Sequence, residues 1–171
     1  MFKFMKEKTE IMNQTFLLLG GNLGERFTLI EKAKNLLKEK LGKVVRVSSF
    51  YETEPWGFEA NKNFLNQVIL VETAHLPEEV LNICLSVENE LGRERTSDSY
   101  SSRTMDIDIL FFNNEVIKTK KLIIPHPRLH ERRFTLEPLT EIAPDYVHPV
   151  LKKTVQEILQ QCNDDSEVKK L

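Results

Sequence analysis

Two aspartates, Asp106 and Asp108, are the residues of this sequence whose type and spacing best suit chemistry. Alternation along a strand predicts one face made of Asp106, Asp108, Leu110 and Phe112, and an opposite face made of Met105, Ile107, Ile109 and Phe111. Two ionised groups about 7 Å apart on one face repel each other unless water or a cation lies between them. Mg²⁺ takes one or two protein carboxylates and completes its shell with water and phosphate oxygens. The pair therefore predicts a magnesium site, with surface salt bridges, for example to Arg103, as the structural alternative.

Basic residues flank this pair on both sides and indicate a phosphate-binding surface. They are Arg93, Arg95 and Arg103 before the pair, and Lys121, His126, Arg128, Arg132 and Arg133 after it. Arginine offers phosphate oxygens a planar fork of donors and keeps its charge near neutral pH. Because the sequence has no GxxxxGK[ST] loop, a bound triphosphate would be held by metal and side chains. Taken singly, each of these residues is also explained as a solvated surface side chain.

Two histidines, His126 and His130, have the i, i+4 spacing that suggests a zinc site on a helix. No third ligand is evident in the sequence, and Pro127 argues against a shared helical face. His126 is better explained as a contact to a phosphate or a base, and His130 as a structural residue.

Aromatic rings and an amide side chain occur together in the segments YETEPWGF, at 51–58, and NFLNQ, at 63–67. Flat heterocycles are commonly held between rings while an amide or backbone group reads their edge. Phe64, Asn66 and Phe134 suit that task. Simple core packing explains each phenylalanine equally well, but a buried amide such as that of Asn66 needs hydrogen-bond partners.

The elements that position these residues alternate in type along the chain. Periodicity, Gly and Pro predict a strand at 15–19, a helix at 25–41, strands at 43–53 and 64–72, a helix at 77–91, and then the strand with the aspartates. Asn113 and Asn114 predict a hairpin turn into a partner strand at 116–124, followed by helices at 132–142 and 154–161. This order predicts an α+β, ferredoxin-like βαββαβ sandwich with an antiparallel sheet and appended C-terminal elements.

Length and composition predict a single domain of an ordinary globular protein. The chain has 171 residues, 40% hydrophobic and 29% charged, without a run of about 20 apolar residues that could span a membrane. We expect a polar N-terminal extension at 1–13, a domain at 14–162, and a tail at 163–171 that frays. Two cysteines, Cys84 and Cys162, are too few for a disulfide framework and favour a reducing cytoplasm. A net charge of −2 argues against a general nucleic-acid coat.

Several separate blocks of the sequence resemble one family in their order and spacing, from about 15 to 150. The blocks are GGNLGER, VSSFYETEPWG, NFLNQV, RTMDIDIL and IIPHPRLHERRFTLEPLTEIAP. Together they resemble the 6-hydroxymethyl-7,8-dihydropterin pyrophosphokinases of folate biosynthesis. The resemblance implies a Mg²⁺-dependent transfer of the β,γ-pyrophosphoryl group of ATP to the hydroxymethyl oxygen of the pterin, with release of AMP. It also implies a ferredoxin-like fold, with these two small molecules as substrates. We expect a cytoplasmic monomer that binds neither nucleic acid nor membrane.

The same resemblance implies a role for each residue that matches a family motif. Asp106 and Asp108 would bind two Mg²⁺ ions, and Arg93 and Arg103 would join them as catalytic residues. The implied ATP contacts are Arg95, Tyr100, Lys121, His126 and Arg132. The implied pterin contacts are Thr53, Trp56, Phe64, Asn66 and Phe134, with the two phenylalanines enclosing the pterin and Asn66 reading its edge.

The chain departs from the family pattern between Arg95 and Arg103. Where the family usually has a basic residue, a bulky aromatic residue and a glycine, this chain has Ser99, Tyr100 and Ser101. Tyr100 can still stack, but Ser99 lacks the charge and Ser101 lacks the conformational freedom of glycine. The departure concerns how this loop closes over ATP. At another position Lys121 replaces a frequent arginine, which keeps a charge without the bidentate fork.

Two other functions compete with this interpretation. An RNA-binding module is one, because the ferredoxin-like sheets of RRM domains present aromatic residues to bases. The RNP1 pattern is absent, however, and the chain is slightly acidic. The other is a catalytically impaired, nucleotide-binding relative whose altered loop at 99–101 does not close.

Overall fold

The computed structural model describes residues 11–93 and 102–171, which form an α+β fold around one antiparallel sheet. The strands are β1 (Asn13–Gly21), β2 (Lys43–Val47), β3 (Tyr51–Thr53), β4 (Phe64–Thr73), β5 (Asp106–Phe112), β6 (Ile117–Lys118), β7 (Ile123–Ile124) and β8 (Val168–Lys170). The helices are α1 (Arg26–Lys40), α2 (Pro77–Glu90), α3 (Arg133–Ile142) and α4 (Val155–Gln160), with a 3₁₀ turn at Leu129–Glu131. None of the described helices is long and apolar enough to cross a membrane.

Six strands make the main sheet, in the order β5-β1-β4-β3-β8, and β2 also pairs with β4. The segment 43–53, predicted as one strand, is divided into β2 and β3. Ser48 lies at the division, where its hydroxyl accepts a hydrogen bond from the Val68 amide at 3.0 Å. Its own amide donates to the Val68 carbonyl at 2.9 Å. β2 and β3 pair with successive parts of β4. Ser48 thus provides hydrogen-bond partners for the Val68 backbone between them.

Helices pack on both faces of the sheet and enclose two hydrophobic cores. One face packs against α1 and α2 through buried residues that include Leu17, Leu19, Leu65, Ile69, Ile107, Ile109, Ile30, Leu37, Val80 and Val87. The other packs against α3 and α4 through Phe16, Leu18, Val68, Leu70, Leu110, Phe111, Leu136, Leu139, Val155 and Ile158. Full burial of one such side chain contributes about 1.5–3 kcal/mol, so both cores hold the sheet firmly.

A bulge in β5 interrupts the predicted alternation of its side chains. Phe16 pairs with Phe111 but Leu17 pairs with Ile109, so β5 has one extra residue, Leu110, at this point. Leu110 and Phe111 consequently both join the α3–α4 core, and Phe112 joins the α1–α2 core. The predicted faces were therefore wrong for the two phenylalanines. The part of β5 before the bulge keeps its alternation, with Asp106 and Asp108 on the face of Leu18.

Two further predictions of local structure were wrong. The segment 116–124, predicted as a partner strand for β5, folds into the small hairpin β6–β7. Its turn is stabilised by the Thr119 hydroxyl, which accepts hydrogen bonds from the Lys121 and Leu122 amides at 3.3 and 3.0 Å. The tail at 163–171, predicted to fray, contains β8, whose Val168 and Lys170 pair with β3. An edge strand with unpaired backbone groups can order even a mixed-charge segment.

The remaining elements agree with the sequence except at their ends. The two cysteines are free, with Cys84 buried and Cys162 half-buried. Residues 1–10 of the predicted N-terminal extension lie outside the described residues.

Candidate active site

A cavity of about 430 Å³ opens at one end of the sheet, on the face that carries α3 and α4. The strands meet there at their ends: β1 stops at Gly21, β3 stops at Thr53, β4 starts at Phe64 and β5 starts at Asp106. Most residues predicted for the site line it: Thr53, Trp56, Phe64, Asn66, Arg93, Arg103, Asp106, Asp108, His126, Arg132 and Phe134. The fold thus brings together side chains that are far apart in sequence.

Two glycines at the end of β1 allow the surrounding backbone to approach closely. A Cβ atom on Gly20 would lie 2.4 Å from the Asn66 Oδ1 atom. One on Gly21 would lie 2.4 Å from the Thr104 carbonyl oxygen. Contacts this short are forbidden, so a side chain at Gly20 would displace the Asn66 amide, and one at Gly21 would displace the backbone before β5.

The acidic part of the cavity, which we call the charged wall, consists of Asp106 and Asp108 with the cationic side chains beside them. Asp106 is paired at both carboxylate oxygens. Its Oδ1 lies 2.6 Å from Arg93 Nη1 and its Oδ2 lies 2.8 Å from Arg103 Nη1. The salt bridge to Arg103, which was the structural alternative to a magnesium site, therefore forms at Asp106. Burial lowers the pKa of the Arg93 guanidinium, but Asp106 and Glu88 outweigh this effect and raise that pKa above its ordinary value.

Asp108 has no such close partner among the cations of this wall. Its Oδ2 lies 3.8 Å from His126 Nε2 and 3.9 Å from Arg132 Nη1, beyond hydrogen-bond distance. Burial, followed by the neighbouring charge of Asp106, raises the pKa of Asp108 well above its ordinary range. The negative charge of Asp108 is thus incompletely neutralised, which favours a bound cation.

The donor set of the charged wall suits a hard divalent cation such as Mg²⁺. Asp106 and Asp108 offer carboxylate oxygens from one rigid strand, as such ions prefer. Among residues 11–93 and 102–171, no three His, Cys, Asp or Glu side chains converge as a ready-made metal cluster. A cation here would therefore need further ligands from water and substrate oxygens.

His126 contributes a neutral donor to this wall. Its Nδ1 accepts a hydrogen bond from the Arg128 amide at 3.2 Å, which leaves the proton of the neutral ring on Nε2. Burial, and then the charge of Arg132, lower the pKa of His126 to about 4. The ring is neutral at physiological pH, with its Nε2–H beside Asp108. His130 lies in the 3₁₀ turn, and its side chain is 42% exposed near Glu131.

Arg132 joins the acidic and aromatic parts of the cavity. Its guanidinium stacks over the rings of Trp56 and Phe134, with Cζ 5.0 and 5.6 Å from their centroids. Its Nε is buried and has no hydrogen-bond partner within the described part of the chain. A buried donor left unpaired in this way is costly. Arg128 also stacks on Trp56, at 5.6 Å.

A second part of the cavity, which we call the neutral wall, consists of uncharged residues: Thr53, Asn66, Phe64, Trp56 and Phe134. Asn66 Nδ2 donates to Thr53 Oγ1 at 3.2 Å, and each of these residues is only 3% exposed. This pair comes from the neighbouring strands β3 and β4. The Trp56 and Phe134 rings pack edge to face with centroids 6.5 Å apart. The wall combines aromatic surface with an oriented amide, as a flat polar heterocycle requires.

One predicted site residue that the structure describes is not brought into the cavity. Lys121 is exposed in the turn between β6 and β7 and does not line it. Arg95 and Tyr100 lie outside the described residues, as do Ser99 and Ser101. The predicted ATP contacts of Arg95, Tyr100 and Lys121 stay predictions.

Several residues of the site were missed by the sequence analysis. Gly20 and Phe58 line the cavity, and Glu88 lies behind its charged wall. The Gly20–Gly21 pair and the aromatic segment at 51–58 were signals for the first two. Arg128, predicted as part of a phosphate-binding surface, also lines the cavity. Glu88 lies in an amphipathic helix and has no sequence signal, because its partners are visible only in the fold.

Comparison with known proteins connects this arrangement to a family. A profile described as 7,8-dihydro-6-hydroxymethylpterin-pyrophosphokinase (HPPK) matches residues 16–144. The 2-amino-4-hydroxy-6-hydroxymethyldihydropteridine pyrophosphokinase of Aquifex aeolicus is 42% identical over 146 residues, which cover 85% of this chain and 90% of that protein. The protein of the same name from Bacillus subtilis is 45% identical over 131 residues, covering 76% of this chain and 78% of that protein.

Comparison with solved structures shows a similar fold. A triple-mutant HPPK-DHPS of Plasmodium falciparum superposes with a TM-score of 0.72 at 20% identity, over 90% of this chain and 42% of that one. This chain thus spans less than half the length of that solved protein, and the likeness concerns the fold alone. The family profile covers most of the chain, including the charged and neutral walls. The chain belongs to the 7,8-dihydro-6-hydroxymethylpterin-pyrophosphokinase family.

Proposed function

We propose that this chain transfers the pyrophosphoryl group of ATP to the hydroxymethyl oxygen of 6-hydroxymethyl-7,8-dihydropterin, giving AMP and the pterin diphosphate for folate biosynthesis. The observation that carries the proposal is the juxtaposition of two walls in one cavity. A charged wall with paired carboxylates and guanidinium groups adjoins a neutral wall with aromatic rings and an amide. The first suits a metal-bound polyphosphate and the second a flat, hydrogen-bonding heterocycle.

Asp106 and Asp108 are the residues that would hold magnesium, and we propose two ions. When bound, Mg²⁺ neutralises the charge of the phosphates and favours an in-line arrangement of the attacking and leaving oxygens. The incomplete neutralisation of Asp108 supports this role, because a cation would remove the unfavourable interaction between the two carboxylates.

Cationic and neutral donors of the charged wall would bind the phosphate oxygens. Arg93 and Arg103 already lie within 2.6–2.8 Å of Asp106, next to the proposed ions. Arg132 Nη1 and the Nε2–H of neutral His126 lie 3.9 and 3.8 Å from Asp108 and supply further donors in the same region. These groups would place the triphosphate across the wall, with positive charge where negative charge must be stabilised.

The neutral wall would bind and orient the pterin. Phe64 and Phe134 provide ring surfaces from β4 and α3, and Asn66 offers an amide whose rotamer is fixed by Thr53. Trp56 would support this wall through its stacking with Arg132 and its contact with Phe134. Such fixed side chains keep the hydroxymethyl oxygen near the phosphates and lower the entropic part of the barrier. Catalysis then depends on positioning and electrostatics, and no general base is required.

We also propose finer features of the architecture. The strand order supports a ferredoxin-like βαββαβ fold when β2 and β3 are counted as one interrupted strand. The hairpin β6–β7, helices α3 and α4, and strand β8 are additions to it. The domain predicted at 14–162 then extends to include β8. A monomer is supported by the cavity, since one chain supplies both of its walls.

The RNA-binding alternative is not favoured. RRM domains offer one open sheet face to bases, whereas this sheet packs helices against both faces. The catalytically impaired alternative concerns residues outside the described part of the chain, so it is decided by activity.

Identification of the products tests the proposed function. With ATP, Mg²⁺ and the hydroxymethyl pterin, we expect AMP to form in proportion to the pterin diphosphate. Omission of the pterin should abolish AMP formation. The proposal fails if ADP is the product or if AMP forms equally without the pterin. Absence of any product, together with normal binding of both substrates, would establish the impaired alternative.

A further inference from the structure

A buried carboxylate, that of Glu88, lies behind the charged wall without lining the cavity. Its side chain is only 2% exposed. Glu88 Oε1 accepts a hydrogen bond from the Ile107 amide at 2.8 Å and lies 2.6 Å from Arg93 Nη1. Burial of a carboxylate is unfavourable unless it is paired and hydrogen-bonded, and these two contacts satisfy that requirement.

Both contacts lead directly to the aspartates of the charged wall. Ile107 lies between Asp106 and Asp108, so the bond to its amide fixes the backbone that carries both carboxylates. Arg93 Nη1 lies 2.6 Å from Glu88 and also 2.6 Å from Asp106 Oδ1. One guanidinium nitrogen is therefore shared between Glu88 and Asp106.

The location of Glu88 on its helix argues against a role in helix stability. Glu88 lies in the last turn of α2, where no basic residue is present. A negative charge is unfavourable at this end of the helix macrodipole. Burial and the helix dipole thus both disfavour the ionised carboxylate. Its contacts with Arg93 and with the backbone of β5 compensate for this cost.

We propose that Glu88 is a positioning residue for the magnesium-binding pair, an inference that rests on the proposed function. It holds the backbone between Asp106 and Asp108, and it shares with Asp106 the Arg93 nitrogen that lies 2.6 Å from both carboxylates. Without the charge of Glu88, Arg93 would pair with Asp106 alone and compete with the cation for that carboxylate. Residues behind a metal site commonly tune its affinity in this way.

Three variants separate these effects. Glu88→Gln keeps an oxygen acceptor for the Ile107 amide but removes the charge, and Glu88→Ala removes both. Glu90→Gln is the control, because Glu90 belongs to the same helix end but forms an exposed ion pair with Lys40 at 2.7 Å. Calorimetry would measure two quantities for each variant: the Mg²⁺ concentration needed for half-maximal binding of an unreactive ATP analogue, and the Kd of the pterin without Mg²⁺.

We expect Glu88→Gln to raise the required Mg²⁺ concentration by about 10–100-fold, with pterin affinity and the Glu90→Gln control both within twofold of wild type. Unchanged Mg²⁺ dependence in Glu88→Gln would overturn the proposal. An equal loss of pterin and Mg²⁺–nucleotide affinity would also overturn it, since that result indicates general loosening. If Glu88→Ala does not fold, Glu88→Gln alone decides. Failure of the wild type to bind the nucleotide in a Mg²⁺-dependent way would instead contradict the proposed function.

Discussion

The two walls of the cavity are built on different physical principles. On the charged wall, ion pairs hold the side chains, as in the contacts of Asp106 with Arg93 and Arg103. On the neutral wall, burial and strand pairing hold them, as in the bond between Asn66 and Thr53. Ion pairs can be exchanged for metal and phosphate contacts, whereas buried neutral contacts are retained on binding. The difference indicates that one wall is adapted to exchange partners and the other to present a fixed shape.

This contrast predicts that the walls can be perturbed separately. A change of charge, salt or pH should act mainly on the charged wall, because neutral contacts depend weakly on these conditions. A change of shape or of hydrogen bonding should act on the neutral wall. An expected loss of affinity at one wall should therefore be accompanied by retention of affinity at the other.

The largest effect is expected from removal of either aspartate. Asp106→Ala and Asp108→Ala should lower kcat by at least about a hundredfold, because stabilisation of the phosphate charge is lost. The Kd of the pterin should stay within a few fold of the wild-type value, and circular dichroism should report an intact fold. Turnover near that of the wild type in either variant would remove the metal-binding role.

Removal of the amide from the neutral wall should have the next largest effect. Asn66→Ala should raise the Kd of the pterin by about 10–100-fold, because groups of the bound heterocycle would be left unpaired. The Mg²⁺-dependent affinity for an unreactive ATP analogue should be unchanged. Asn61→Ala, at an exposed position in the loop before β4, is the control. Equal losses of pterin and nucleotide affinity in Asn66→Ala would indicate that the walls are not separable.

Salt should distinguish the walls without any substitution. An increase from 50 to 500 mM potassium chloride shortens the screening length from about 14 to about 4 Å. At saturating Mg²⁺, binding of the ATP analogue should weaken several-fold, and pterin binding should change little. Calorimetry at both salt concentrations measures the two affinities. Similar salt dependence for both ligands would contradict the contrast.

A smaller effect is expected on stability, with a definite dependence on pH. Because the folded protein raises the pKa of Asp108, the folded state holds this proton more tightly than the unfolded state. Ionisation therefore destabilises the ligand-free fold as pH rises above the ordinary carboxyl pKa of about 3.9 towards the raised value. Asp108→Asn, which cannot ionise, should unfold at the wild-type Tm near pH 4.

At pH 8 and without Mg²⁺, the Tm of Asp108→Asn should exceed that of the wild type by about 2–4 °C, the shift that 1 kcal/mol produces in a chain of this size. Thermal unfolding monitored by circular dichroism measures both values. A lower Tm for the variant at pH 8 would mean that the ionised carboxylate stabilises the apo fold.

Much of the fold could be predicted because local periodicity and packing agree in its main elements. Helix α1 and strands β1 and β4 bury the residues that their patterns indicate, such as Ile30, Leu17 and Ile69. The bulge at Leu110 could not be predicted, because it depends on the register between β1 and β5. Strand β8 was missed for a similar reason, since its order comes from the edge of β3 and not from its own composition.

The residues of the site were predictable where their chemistry is unusual for their place in the sequence. Two carboxylates on one strand, Asp106 and Asp108, and an amide in an apolar strand, Asn66, need hydrogen-bond or ionic partners, which a ligand can supply. Glu88, on the surface of a predicted helix, shows no such need in the sequence. Its burial beside Ile107 follows only from the packing of α2 against β5.

The most direct test of the role of the charged wall is a crystal structure with Mg²⁺, an unreactive ATP analogue and the pterin. We expect oxygens of Asp106 and Asp108 to lie about 2.0–2.1 Å from bound Mg²⁺, with nucleotide phosphates among the other ligands. Phe64, Asn66 and Phe134 should contact the pterin with little change in position. A nucleotide bound elsewhere, with Asp106 still paired to Arg93 and Arg103 and no metal at either aspartate, would contradict the proposed site.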